Sequence, residues 1–340
     1  MAALTSTQLE QFHREGYLLV ENLFDPQSDI DPIIAEYEGV LDTLADELHA
    51  QGQIPSTYAE LPFGQRLIAI NNASGKVQAQ YFDFSLPQAD VREDTPLWVG
   101  PAVFNMIRNE KLLDVVESII GPEIYSNPVQ HVRLKPPEHL SPTDAEGRVQ
   151  LGKTPVHQDN GVVLPEADET NMLTVWFPLW DANVKNGCLA VWPESHRQGL
   201  LDHCPSKGGL RIPGKLLSGK AKSMAMRRGD ALLMHRLTIH ASHANHSDNI
   251  RWSFDLRYNP IGQPTGRSSF PGFVARSSKH PEMELRDPAE WARAISLLLD
   301  DPLFYEELSL SARQFAEGFS WAASTSILLD VYEGLVQGRP

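Results

Sequence analysis

Cysteine is almost missing from this sequence: Cys188 and Cys204 are the two in 340 residues. Two cannot build a disulfide framework, and so few suit a reducing compartment. Positive charge is also in deficit, with 29 Lys and Arg against 44 Asp and Glu, a formal net charge of −15. Nucleic-acid binders carry basic faces, so no such partner is expected, and a large polyanionic substrate is disfavoured. No run approaches the ~18 apolar residues that a membrane span requires, so no membrane partner is expected either. The N-terminal MAALTSTQLEQFHREGYLLV opens polar and lacks a basic-then-apolar signal layout, which makes cytoplasmic the expected location. Internal repeats and low-complexity tracts are absent. What is there, 41% hydrophobic and 21% charged residues, can bury one large core or two modest ones.

Helical signals come first along the chain. Thr5 or Ser6 caps a helix to about Glu15, and Gly16 stops it. GYLLVENLF reads as a strand. Pro32 to His49 reads as an amphipathic helix with Ile33, Ile34, Tyr37 and Leu41 inward. Asn71 to Gly75 marks a loop, and Phe104 to Ile120 a single helix ended by Gly121-Pro122. From Glu123 the period shifts toward two. Short strands are expected at 124–135, 154–158, 172–180, 187–192, 223–226, 230–240 and 250–258. Many short strands without interleaved helices predict an antiparallel sandwich or barrel of jelly-roll type. Two long Gly/Pro-rich segments, Arg197 to Lys222 and Pro260 to Pro281, are expected to be lids or substrate walls. The second offers Arg267, Phe270, Phe273 and Arg276 to a substrate. After Asp287 the pattern is helical again.

His157-X-Asp159 is the most informative pair. Two apart on a strand, their side chains share a face. About eighty residues later, GDALLMHRLTIHASHANHSDNIR offers four histidines. His243 and His246 lie in a polar turn. His235 is an odd offset from His240 and would face the other way on a regular strand. His240 ends the apolar stretch and has an arginine, Arg251, eleven residues on. Two imidazoles and one carboxylate on one side of a metal leave positions open, the arrangement of non-haem Fe(II) oxygenases. Arg251 supplies a planar fork for a keto-acid carboxylate, and Ser253, on the same strand face, a hydroxyl for the same group.

The chain resembles the phytanoyl-CoA dioxygenase family of Fe(II)- and 2-oxoglutarate-dependent oxygenases. PVHQD at 155–159, NGCLAVWPESH at 186–196 and GDALLMHRLTIHASHANHSDNIR at 229–251 carry the resemblance. With the opening FHREGYLLVENLF it spans roughly residues 8–260. It implies a double-stranded β-helix, a cupin-like jelly roll with flanking helices. It also implies iron ligands at His157, Asp159 and His240, and a 2-oxoglutarate-binding arginine at Arg251. Trp176, His131 and Lys76 match further cosubstrate contacts of the family. Where the family commonly has glycine, this chain has Glu194, which bears on loop geometry more than on chemistry; His196 is a possible outer partner of the site.

The expected organisation is an oxygenase domain over residues 1–285 and a C-terminal helical extension over 286–340, packed on the barrel or on a partner subunit. Residues 293–336 are similar to the C-terminal helices of GT-B glycosyltransferases, but without a nucleotide-sugar site. The implied reaction uses Fe(II), 2-oxoglutarate and O₂ to oxidise a C–H bond of a small to medium-sized molecule, giving succinate and CO₂. Asp159 argues against halogenation, since halogenating relatives lack that carboxylate. A second reading, a non-catalytic metal-binding jelly roll, has no need of Arg251 and Ser253. Phe270, Phe273 and Trp180 suggest a partly apolar substrate. Neither its identity nor the oligomeric state can be read from the sequence.

Overall fold

A computed structural model describes residues 3–299 except 88–91, 93–94, 207–208, 268–269 and 271. The N-terminal half is mainly helical. Helix α1 (Ser6–Glu15) starts from a capping box in which the Thr5 side chain accepts from Gln8 N and Gln8 reaches back. It stops at Gly16, whose φ of +80° is left-handed; a Cβ there would lie 2.3 Å from His196 Nδ1. Strand β1 (Tyr17–Val20) follows, then α2 (Asp31–Ala50), which buries Ile33, Tyr37, Val40, Leu41, Leu44, Ala45 and Leu48.

Next come α3 (Phe63–Ser74) and the short α4 (Ala79–Phe82). The expected loop at Asn71 to Gly75 is the last turn of α3. Asn72 Nδ2 donates to Ile68 O, and Gly75, at φ +69°, ends the helix. The single helix expected from Phe104 is two, α5 (Pro101–Ile107) and α6 (Glu110–Ile120). Asn109 divides them, because its side chain accepts from Lys111 N and Leu112 N as an N-cap.

Strands β2 (Glu123–Ser126) and β3 (His131–Lys135) replace one expected strand. Then come β4 (Leu173–Pro178), β5 (Leu189–Val191), β6 (Cys204–Ser206), β7 (Gly209–Arg211), β8 (Lys222–Met224), β9 (Ala231–His235), β10 (His240–Ser242), β11 (Arg251–Pro260) and β12 (Phe273–Ser277). Helix α7 (Pro288–Leu299) places Trp291 and Ile295 in the main core; the rest of the expected C-terminal extension lies outside the described residues.

Seven strands form the major antiparallel sheet in the order β1-β9-β4-β11-β2-β12, with β3 also on β11; the minor sheet is β10-β5-β8. Strand β11 is the spine. It pairs with β4 on one side and, on the other, with β3 near its start and β2 near its end. The helices cover one face of the major sheet through Trp252, Phe254, Leu256 and Tyr258 of β11 and Leu173, Val175 and Phe177 of β4. The other face meets the minor sheet through Trp176, Leu232 and Met234 against Leu189, Val191 and Met224. This is the jelly roll, and it corrects one detail: residues 230–240 are two strands, one in each sheet, joined by the Arg236 to Ile239 corner. Glu194 is left-handed at φ +63°, a conformation that costs a side chain roughly 1–2 kcal/mol.

Candidate active site

His157 and His240 are a closed backbone pair, each N–H donating to the other's carbonyl at 3.0 and 2.9 Å. The segment 154–158 is therefore an isolated bridge rather than the expected strand. The pairing sets the two rings side by side, with centroids 4.2 Å apart. Each Nδ1 faces a carbonyl two residues upstream, Pro155 O at 2.8 Å and Thr238 O at 3.0 Å. A carbonyl can only accept, so the proton sits on Nδ1 and each Nε2 keeps its lone pair. Gln158 is extended and turns away to the carbonyls of Gly199 and Leu237. Asp159, at the start of a 3-10 turn, thereby returns to the side of His157. Alternation holds although the strand does not.

Asp159 Oδ1 lies 3.8 Å from both Nε2 atoms, and one ligand atom from each of the three residues lies within 4.8 Å of the others. Two imidazole nitrogens and one carboxylate oxygen fit a divalent iron and leave its far side open. The electrostatics suit that use. Burial, reinforced by His240, pushes the His157 imidazole down to about 3, so the ring is neutral, the form a metal requires. Burial would raise the Asp159 carboxyl, but Arg257 and the two imidazoles hold it well below the usual carboxylate range. Its Oδ2 accepts from Thr174 Oγ1 at 2.5 Å and its Oδ1 from Arg257 Nη2 at 2.6 Å. Arg257 also donates to Val129 O at 2.7 Å and to Asp255 Oδ2 at 3.2 Å.

Thr174, Asp255 and Arg257 are not among the expected site residues. For Asp255 and Arg257 the signal was a second period-two row in RWSFDLRYN: Arg251, Ser253, Asp255, Arg257 and Asn259 all leave β11 on the barrel side. Arg251 is 3% exposed and donates from Nη1 to Ser253 Oγ, while its Nε is buried without a partner. Its guanidinium carbon lies 5.5 Å from the centre of the Trp176 ring. Burial, with Arg133 nearby, pulls it down to about 10. Among the described residues it has no carboxylate within 4 Å. A buried guanidinium with an orphaned N–H and no counterion is suited to receive one from a ligand.

Lys135, also not foreseen, donates to Ser242 Oγ at 2.6 Å and His243 O at 3.3 Å. Burial, with Arg251 and Arg133 beside it, draws it down to about 6. His131 lies on the same inner row of β3, its Nδ1 2.7 Å from Asp83 Oδ2. Lys76 is exposed just past α3, and its ammonium has no hydrogen bond or ion pair among the described residues. His196 sits apart, against His13 O at 3.1 Å and the His235 ring at 5.1 Å.

The first long segment lies against the chain around His157. His203 Nε2 accepts from Gln158 N at 2.9 Å, and Ile212 N donates to Val156 O at 2.8 Å. The second differs from expectation. Phe270 and Phe273 are in the helix-side core, where Phe273 packs on Phe104 and Trp291. Arg276 pairs with Glu110, Asp114 and Glu117 of α6. Trp180 stands edge-on to Phe63 and Trp252 on the helix side. Of that group Arg267 alone turns inward.

The family profile described as phytanoyl-CoA dioxygenase (PhyH) matches residues 12–253. The chain is 26% identical over 281 residues to mouse (Mus musculus) phytanoyl-CoA dioxygenase domain-containing protein 1, covering 75% of this chain and 90% of that one. It is 25% identical over 269 residues to human (Homo sapiens) peroxisomal phytanoyl-CoA dioxygenase, covering 75% and 68%. Among solved structures it is similar to the apo form of the non-heme monooxygenase ThoJ, with a TM-score of 0.55 at 15% identity over 90% of this chain and 98% of that one. That likeness is one of fold. Among the described residues no helix is long and apolar enough to cross a membrane. The profile spans most of the chain and includes all three metal-ligating candidates, and the chain belongs to the phytanoyl-CoA dioxygenase family of 2-oxoglutarate-dependent oxygenases.

Proposed function

We propose that the protein hydroxylates, or otherwise oxidises, an unactivated C–H bond of a small to medium-sized organic molecule, with His157, Asp159 and His240 holding Fe(II) and Arg251 holding 2-oxoglutarate. The observation that carries this reading is the pinned geometry of the three ligand atoms, two of them lone pairs left free by Nδ1–carbonyl bonds. Bound iron would supply the redox chemistry by which O₂ gives one oxygen atom to the substrate and one to 2-oxoglutarate, which leaves as succinate and CO₂. The chain's own residues prepare the site. Thr174 and Arg257 fix the Asp159 carboxylate; Ser253 and the Trp176 ring hold the Arg251 fork; the segment carrying His203 covers the ligand loop.

A non-catalytic metal scaffold would account for the histidines but not for a buried guanidinium with an orphaned N–H. Anaerobic titration with Fe(II), with and without 2-oxoglutarate, tests the difference. A weak visible charge-transfer band is expected only with both; iron binding without that band would favour the scaffold.

A further inference from the structure

The inner row of β3 is His131, Arg133 and Lys135, since Val132 and Leu134 face the helices. Two of the three are occupied, His131 with Asp83 and Lys135 with Ser242. Arg133, half-buried opposite Ser253, has no hydrogen bond or ion pair among the described residues. Arg267 reaches the same region from beyond β11 and is 8% exposed. Its Nη1 donates to Ser85 Oγ at 3.0 Å and Leu86 O at 2.8 Å, which leaves Nη2 buried and unpaired. The two guanidiniums sense each other. Burial draws Arg267 down to about 10; Asp83 opposes that, while Arg257 and Arg133 add to it.

Charge counting inside the barrel sharpens the point. Arg257 is engaged by Asp159 and Asp255. Arg251 is the cosubstrate's partner, and bound Fe(II) and the 2-oxoglutarate dianion neutralise each other. Among the described residues Arg133 and Arg267 then face Asp83 alone, so positive charge is left uncompensated there, within a chain whose net charge is −15. Unpaired buried charge is costly, and an arriving anion relieves that cost. We infer that Arg133 and Arg267 form a second anion-docking subsite beside the cosubstrate pocket, and that the substrate is an organic acid presenting a carboxylate or phosphate to it. A thioester with its charges at the far end of a long carrier would leave this interior pair unmatched. The inference rests on the oxygenase reading above.

The test uses the anaerobic enzyme with Fe(II) and saturating 2-oxoglutarate, titrated calorimetrically with phenylacetate, phenyl phosphate and the neutral 2-phenylethanol. At least one anion should bind tenfold or more tightly than the alcohol, and which one does so identifies the group. Arg133→Gln should erase the preference while 2-oxoglutarate affinity, read from the charge-transfer band, changes less than twofold. Arg133→Lys should keep part of the preference. Equal binding of acid and alcohol, no binding of either anion at millimolar concentration, or displacement of 2-oxoglutarate by the anions would each overturn the subsite, and none of the three needs a variant. A tenfold loss of 2-oxoglutarate affinity in Arg133→Gln would make Arg133 a cosubstrate residue instead. Absence of the band in the unmodified enzyme would take down the oxygenase reading itself.

Discussion

The two faces of β11 are both buried, yet they are different materials. Toward the helices stand Trp252, Phe254, Leu256 and Tyr258, all 0% exposed. Toward the minor sheet stand Arg251, Ser253, Asp255, Arg257 and Asn259. Trp252 stacks on Phe63 at 4.5 Å and meets Trp180 and Tyr37 edge-on, a dry aromatic layer. The opposite face holds charges that water would solvate better. A strand has little structural reason to bury a charged row. In the function proposed above, that row is the face where ligands supply missing counter-charge, so that one strand would carry the fold on one side and the chemistry on the other.

The comparison breaks most completely at the metal. His157→Ala, Asp159→Ala and His240→Ala should each abolish iron-dependent turnover with the fold retained, because two ligands give neither the affinity nor the geometry of three. His235→Ala should leave iron binding largely intact, since that ring packs toward Phe12 and His196. Fe(II) titration of the four variants decides it. If His235→Ala loses iron and His240→Ala keeps it, the assignment is wrong.

On the dry face the damage should be to stability alone. Trp252→Ala is expected to cost about 3–5 kcal/mol by opening a cavity among Phe63, Trp180 and Tyr37. Urea unfolding measures the loss, and the protein still folded should bind iron normally. A loss under 1 kcal/mol would mean that the aromatic layer is not the keystone of the helix side.

Arg251 lies directly next to Trp252 in sequence, yet its replacement should spare the fold and act on the cosubstrate. Arg251→Ala should weaken 2-oxoglutarate binding tenfold or more, about 1.4 kcal/mol. Arg251→Lys should recover little, because an ammonium cannot reproduce the fork. Unchanged 2-oxoglutarate affinity in Arg251→Ala would remove it from the pocket.

The last effect concerns Lys135 and is read as a slope against pH. Burial and the neighbouring arginines bring it to about 6, against 10.5 when exposed. Between those values the unfolded chain holds a proton that the folded chain has released, so raising the pH stabilises the fold. The slope is at most about 1.4 kcal/mol per pH unit for this one group. Below about 6 both states are protonated and the penalty is constant; above 10.5 it vanishes. Lys135→Met should therefore flatten the stability curve of the metal-free protein between pH 6.5 and 9. Parallel curves for the two proteins would show that Lys135 stays charged when buried.

Much of this was legible in one dimension, because the signals are local. Thr5 or Ser6 and then Gly16 bracket a helix, because a cap is a short-range hydrogen bond and a stop is a left-handed residue. The period of two after Glu123 announces strands, and His157-X-Asp159 requires only one extended residue between its members. Local rules also explain the errors. Asn71 to Gly75 has loop composition but is a helix end. Asn109, inside an apolar helical pattern, acts as an N-cap and splits it. Residues 230–240 read as one strand because nothing in their sequence reports that the chain changes sheets.

The sequence by itself determined the residue types of the site and their order: two histidines and a carboxylate, then an arginine eleven residues after the second histidine. Tertiary structure decided which polar side chains meet. Arg257 reaches Asp159 across 98 positions of chain, and Asp83 meets His131 across 48. It also sent Phe270, Phe273 and Trp180 to the helix side and left Arg133 without an ion pair among the described residues. The physical reason is that a strand pattern specifies two faces but not which of them turns inward to a cavity. That is settled when helices cover one face and a second sheet closes over the other.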